Sequence, residues 1–222
     1  MAEIVMIMGE SGSGKSASLR SFLPGEVCVL NVAGKRLPFK NAFGKNVVDH
    51  AAYNTIIQAV RSGNFKTYVV DDSQYLMAFE AFSKAKETGY QKFTDMALNF
   101  YNMLMSVKHA TIWKKNPDGT VSDTKRPTDD VIVYFLHHID RDDNGIVKPK
   151  TQGRMLDEKL NVAGLFTTVL LAETDGKDYW FQTANDGASV VKSPMGMFDD
   201  AKIPNDLKMV DGTIRAYYNM EE

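Results

Sequence analysis

The chain has 222 residues, 44% hydrophobic and 24% charged, with a net charge of −2. That suits one α/β domain with an ordinary core, and it excludes an all-over basic coat for nucleic acid while leaving room for a local basic groove. The single cysteine, Cys28, excludes a disulfide framework or a thiolate metal cluster and fits a reducing, cytoplasmic setting.

In chain order, Glu3 to Met8 is an apolar run suited to a buried strand, and residues 15–23 begin a helix that Pro24-Gly25 closes. With strand 3–8 leading straight into the glycine loop, no signal peptide is expected, and no apolar run reaches the ~18 residues a membrane span needs. Residues 26–32 read as a second strand, followed by a basic loop from Gly34 to Lys40. Tyr53, Ile56, Ile57 and Val60 mark an amphipathic helix over 50–62, ended by Gly63. Thr67 to Val70 is a buried strand running into Asp71-Asp72-Ser73, and helices follow over 74–88 and 91–108.

Residues 113–130 are polar, a loop or small hairpin; Trp113 with Lys114 and Lys115 offers a stacking platform for nucleic acid, and the preferred alternative is a Trp113 buried at a helix end. Val131 to Leu136 is another buried strand, ending at His137-His138, and 140–160 is a charged, partly helical loop. Strands are predicted over 165–172, 179–183 and 189–192, with a closing helix from about Pro204 to Met220. The twelve methionines are read as adaptable core packing. Alternating buried strands and amphipathic helices imply an α/β fold: one domain over residues 1–222, with a mostly parallel sheet covered on both faces.

Gly9-Glu10-Ser11-Gly12-Ser13-Gly14-Lys15-Ser16 matches the P-loop pattern G-x-x-x-x-G-K-[ST] at every fixed position, between a strand and a helix as the motif requires. Its glycines let the backbone curl N–H groups toward phosphate oxygens. Residues Gly9 to Ala17 are thus the nucleotide-binding candidates, with Lys15 on the β- and γ-phosphates and the Ser16 hydroxyl on Mg2+. Asp71, after an apolar strand, stands where a Walker B aspartate holds Mg2+. Asp72 would orient or deprotonate the attacking water, or else cap the next helix. One of His137 and His138, with His138 preferred, would sense the γ-phosphate; the alternative is a histidine satisfying a strand-end backbone group. Lys148, Lys150, Arg154 and Lys159 form a basic stretch after a strand C-terminus and are the nucleic-acid candidates; Lys35, Arg36 and Lys40 form a second.

Three stretches, the P-loop, Val69 to Ser73 and the strand ending at His137-His138, together resemble a RecA-type ATPase core. The segment 179–198, ending Val190-Val191-Lys192-Ser193-Pro194-Met195-Gly196-Met197-Phe198, resembles the C-terminal antiparallel hairpin of such cores. As a whole the chain is similar to small bacteriophage ATP-binding proteins of the RecA-like single-strand annealing group, the Sak family. The resemblance implies a RecA-like fold, ATP and Mg2+ as cofactors, single-stranded DNA as partner, a homo-oligomeric ring or filament, and work alongside a phage or host single-strand-binding protein. It also implies that Lys192 reaches the ATP of an adjacent subunit as a catalytic cation. The second strand departs from RecA, because it runs into Asn31-Val32-Ala33-Gly34 with no glutamate to act as base.

Two other readings stand beside an annealing ATPase. One is a small-molecule or nucleotide kinase, in which the P-loop and Walker B strands are adjacent and an arginine-rich lid is usual; here arginine is sparse outside 141–154. In RecA-type cores the strand 131–136 should lie between those two strands. The other is a nucleotide-dependent interaction protein that does not hydrolyse.

Overall fold

The computed structural model describes residues 1–40, 43–116, 120–152 and 160–220. Its centre is a mixed, mostly parallel sheet. The strands are β1 (Glu3–Gly9), β2 (Val27–Asn31), β3 (Val47–Asp49), β4 (Thr67–Asp71), β7 (Ile132–Arg141), β8 (Val147–Pro149), β9 (Thr168–Thr174), β10 (Tyr179–Gln182) and β11 (Lys202–Pro204). Their order is β11-β10-β9-β1-β7-β4-β2-β3, with β8 added to β7. From β9 to β3 every neighbouring pair is parallel; β8, β10 and β11 are antiparallel to their partners. β1, which leads into the glycine loop, and β4, which ends at Asp71, are therefore separated by β7.

The helices α1 (Tyr53–Ser62), α2 (Tyr75–Ser83) and α3 (Gln91–Lys108) cover one face, and α4 (Leu207–Tyr218) the other. Successive strand side chains point to opposite faces, so β1 divides its residues. Ile4, Met6 and Met8 pack with Ile56, Val60, Phe100 and Leu104; Val5 and Ile7 pack with Leu19, Leu207, Val210 and Ile214. Burial on both faces is why these strands read as unbroken apolar runs.

The structure corrects several local expectations. The helix expected over 15–23 is a 3-10 turn, Ser16–Ser21. Serines are weak helix formers there, and Ser18 Oγ donates back to the Lys15 carbonyl at 2.6 Å. The strand expected to end at Leu136 runs on to Arg141, so His137 and His138 lie within β7. Part of the charged 140–160 loop is β8. The short β3 carries too few residues to show a periodicity. Within 113–130, β5 (Thr111–Lys115) and β6 (Val121–Pro127) pair antiparallel, the small-hairpin alternative rather than a loop. Trp113, expected inside, is 49% exposed, with Lys125 Nζ 4.5 Å above its ring.

Residues 189–192 do not form a strand: Ser189 and Lys192 make isolated bridges to Val147 and Val169. The antiparallel C-terminal element is instead β9-β10-β11, in which β10 pairs with residues 202–204.

Candidate functional site

Gly9 ends β1 level with His138 of β7 on one side and Ala172 of β9 on the other. The sheet thus delivers the glycine loop to its carboxyl edge, the edge where open α/β sheets bind ligands. Gly12 and Gly14 take φ of 84° and 89°, which side chains disfavour. A Cβ on Gly9 would stand 2.8 Å from the Ala172 carbonyl oxygen, and one on Gly14 would stand 2.8 Å from Cδ1 of Tyr179. Lys15 lies inside the curl, its Nζ donating to the carbonyls of Gly9 and Glu10 at 2.8 and 2.7 Å. Burial draws its pKa down to about 8, against the pull of Asp72 and Asp71.

The Walker B position meets the loop directly. Ser16 Oγ donates to Asp71 Oδ1 at 2.8 Å, across 55 residues of chain. Burial, then the neighbouring Asp72, raises the Asp71 pKa to about 6. A hydroxyl and a carboxylate so placed are a donor set that suits magnesium. Among the described residues no cluster of three or more His, Cys, Asp or Glu side chains gathers round a metal. Ser16 and Asp71 would hold the ion only together with phosphate oxygens and water, the usual manner of magnesium.

Asp72 has φ of 60°, a left-handed backbone uncommon outside glycine. The next residue explains how it is held: Ser73 donates its N–H to the Leu136 carbonyl of β7 at 2.9 Å. The turn throws the Asp72 carboxylate toward the P-loop, where it meets Lys35 Nζ at 2.5 Å and His138 Nε2 at 3.2 Å. Burial would raise the carboxyl, but the hydrogen bonds from His138 and Lys35 outweigh it and hold the pKa below its ordinary value.

The two histidines part company. His138 faces Asp72 and the cleft. His137 is fully buried on the other side of β7, with Nδ1 2.8 Å from Ser73 Oγ and Nε2 2.7 Å from the Lys150 carbonyl. Burial lowers its pKa to about 4. A neutral ring donating from Nε2 and accepting at Nδ1 satisfies both partners; His137 is thus the backbone-satisfying histidine.

Together Ser11, Gly12, Gly14, Lys15, Ser16, Ala17, Lys35, Pro38, Asp72, His138 and Tyr179 line a cleft of about 430 Å³. Ser13 Oγ and Asn205 Nδ2, beside the loop, are buried without a hydrogen-bond partner among the described residues. The donors, the Ser16–Asp71 pair and the glycine cradle fit a magnesium nucleotide. Because the following 3-10 turn has only six residues, an anion held here would rest on Lys15 and the loop more than on a helix dipole.

Pro38 and Tyr179 carry no sequence signal for the cleft, and Lys35, expected only as a nucleic-acid candidate, stands inside it. Lys35 was visible only as one member of a basic loop, and nothing along the chain links Tyr179 to Gly14. Lys192 lies outside the cleft. Its backbone pairs with Val169, which stands level with Met6 and so three residues back from Gly9. Lys148 sits on β8, and Lys150 follows it, joined through its N–H to the His138 carbonyl at 2.9 Å. Both lie near the carboxyl edge of the sheet, whereas Arg154 and Lys159 fall outside the described residues. No described helix is long and apolar enough to cross a membrane. A scan against protein-family models finds no match for this chain, and a search of curated proteins finds none.

Proposed function

We propose that the protein is a RecA-like, magnesium-dependent ATPase that binds single-stranded DNA and promotes annealing or recombination as a homo-oligomer. The observation that carries the nucleotide part is the Ser16–Asp71 hydrogen bond, which joins a complete P-loop to a strand-end carboxylate. The position of β7 between β1 and β4 favours this reading over a kinase, whose two strands would be neighbours.

In this reading the glycine loop and Lys15 bind the triphosphate, and Ser16 and Asp71 hold magnesium, which neutralises charge on the phosphates. Asp72, braced by His138, orients the attacking water and accepts its proton. Lys192 contributes a cation to the site of an adjacent subunit, and Lys148 and Lys150, with Arg154 and Lys159, contact DNA phosphates. The DNA and assembly parts rest on the resemblance to phage annealing ATPases. A phage-encoded protein of this kind would act in the host cytoplasm beside a single-strand-binding protein.

The test is ATP turnover, measured alone and with single-stranded DNA, double-stranded DNA or nucleoside monophosphates. Turnover stimulated by single-stranded DNA is expected; phosphoryl transfer to a monophosphate would favour the kinase, and binding without turnover the interaction protein. Lys15→Ala should keep the fold and lose nucleotide binding. Asp71→Asn should lose magnesium-dependent turnover more than nucleotide affinity.

A further inference from the structure

Lys35 is the charged side chain in the cleft that the P-loop logic does not use. It follows β2, and its backbone is fixed from two sides. Asn31, buried at the strand end, donates from Nδ2 to the Lys35 carbonyl at 2.7 Å and to Asp49 Oδ1 at 2.6 Å. Gly34 has φ of 64° and packs so closely on the His50 ring that a Cβ would overlap it. From this anchored turn the side chain extends past the Tyr75 ring, 5.7 Å from its centroid, to the Asp72 carboxylate. The Lys35 side chain is 63% exposed and that of Asp72 only 4%.

We infer that Lys35 is a terminal-phosphate-reading cation supplied within the chain, held on Asp72 until a triphosphate draws it away. The inference rests on the nucleotide reading above. Lys15 and Lys35 offset Asp71 and Asp72, so the cleft carries two cations against two carboxylates. A terminal phosphate brings more negative charge and more acceptor oxygens than one carboxylate, and so competes well for a mobile ammonium. The anchored backbone keeps Lys35 at the cleft while its exposed stem swings. A diphosphate lacks the group it would reach. Once Lys35 turns to the phosphate, one Asp72 oxygen is left to accept a hydrogen bond from water, while His138 still holds the other.

The experiment compares affinities for a non-hydrolysable triphosphate analogue and the diphosphate, both with magnesium, in folded wild type, Lys35→Ala, Lys35→Arg and the double variant Lys35→Ala/Asp72→Asn. In Lys35→Ala the preference for triphosphate over diphosphate should fall by about tenfold to a hundredfold, the worth of a charged hydrogen bond, with diphosphate affinity little changed. Lys35→Arg should retain most of the preference. The double variant should remain low. An unchanged preference in Lys35→Ala overturns the inference and leaves the nucleotide reading standing. Recovery in the double variant also overturns it, because Lys35 would then only neutralise Asp72. Wild type that binds neither nucleotide removes the nucleotide reading itself, and the inference with it.

Discussion

Asp71 ends β4 and His137 lies on the neighbouring β7, and burial shifts both, with opposite consequences for stability. His137 has a native pKa near 4 against an ordinary 6.5. On acidification the unfolded chain takes up that proton first, so stability from this ring is full above pH 6.5 and lost down to about pH 4. The shift corresponds to about 3 kcal/mol. Asp71 is raised to about 6 from 3.8, so its contribution is full below pH 3.8 and is lost as pH rises through 6. In wild type the two offset each other between these limits. His137→Gln should be destabilised at pH 7 by the loss of its contacts to Ser73 and Lys150. That deficit should narrow by up to about 3 kcal/mol as pH falls toward 4. Urea unfolding in chelator at a series of pH values measures it; a deficit independent of pH would show that the ring is not held neutral.

Among the elements, α4 is tied to the sheet by more than its apolar stripe. Asp206 caps it, accepting from the N–H groups of Lys208 and Met209. One turn in, Asp211 accepts from the Tyr134 hydroxyl at 3.0 Å and from Arg215 Nε at 2.7 Å. Arg215 also donates to Thr67 Oγ1 and to the carbonyls of Lys66 and Asp130. This buried network clamps α4 to the amino ends of β4 and β7, the edge of the sheet away from the P-loop. Arg215→Ala would leave Asp211 buried without its cation, at a cost of about 3–5 kcal/mol. The urea midpoint should fall sharply. Nucleotide affinity of the fraction that stays folded should not change, because the network lies at the far edge from the cleft.

For the molecule as a whole, the open question is whether the site is completed between copies. Lys192 cannot serve its own P-loop from beside Val169, so a catalytic role for it requires a neighbour. Lys192→Ala and Lys15→Ala should each be nearly inactive, a trans-acting cation being worth ~10³-fold or more in turnover. Mixed, they should regain partial activity, because some interfaces pair an intact P-loop with an intact Lys192. Full activity of Lys192→Ala alone would end that role. DNA binding belongs to the same scale: single-strand affinity should fall with salt at a slope of about −0.7 per phosphate contacted. Reversing the charges of Lys148 and Lys150 should flatten the slope.

The glycine loop, the strand-end carboxylate of Asp71 and the buried stripes of α1 and α3 were legible along the chain because each is a local pattern. Gly9 to Ser16 lie within eight positions, Asp71 follows an apolar run, and α1 and α3 show their buried stripes at helical spacing. The layered α/β sheet followed from strands too apolar to have a wet face. What the sequence could not show depends on register between distant segments. Pairing of β1 with β7 and of β7 with β4 brings His138 to Asp72 while turning its neighbour His137 the other way, a choice set by strand alternation. The Asn31 anchor and the left-handed turn at Asp72 convert Lys35 from one charge in a basic loop into the partner of a buried carboxylate. Residues 189–192 have a strand's composition, but β10 takes 202–204 as its partner, because pairing is decided by which edges the fold leaves open.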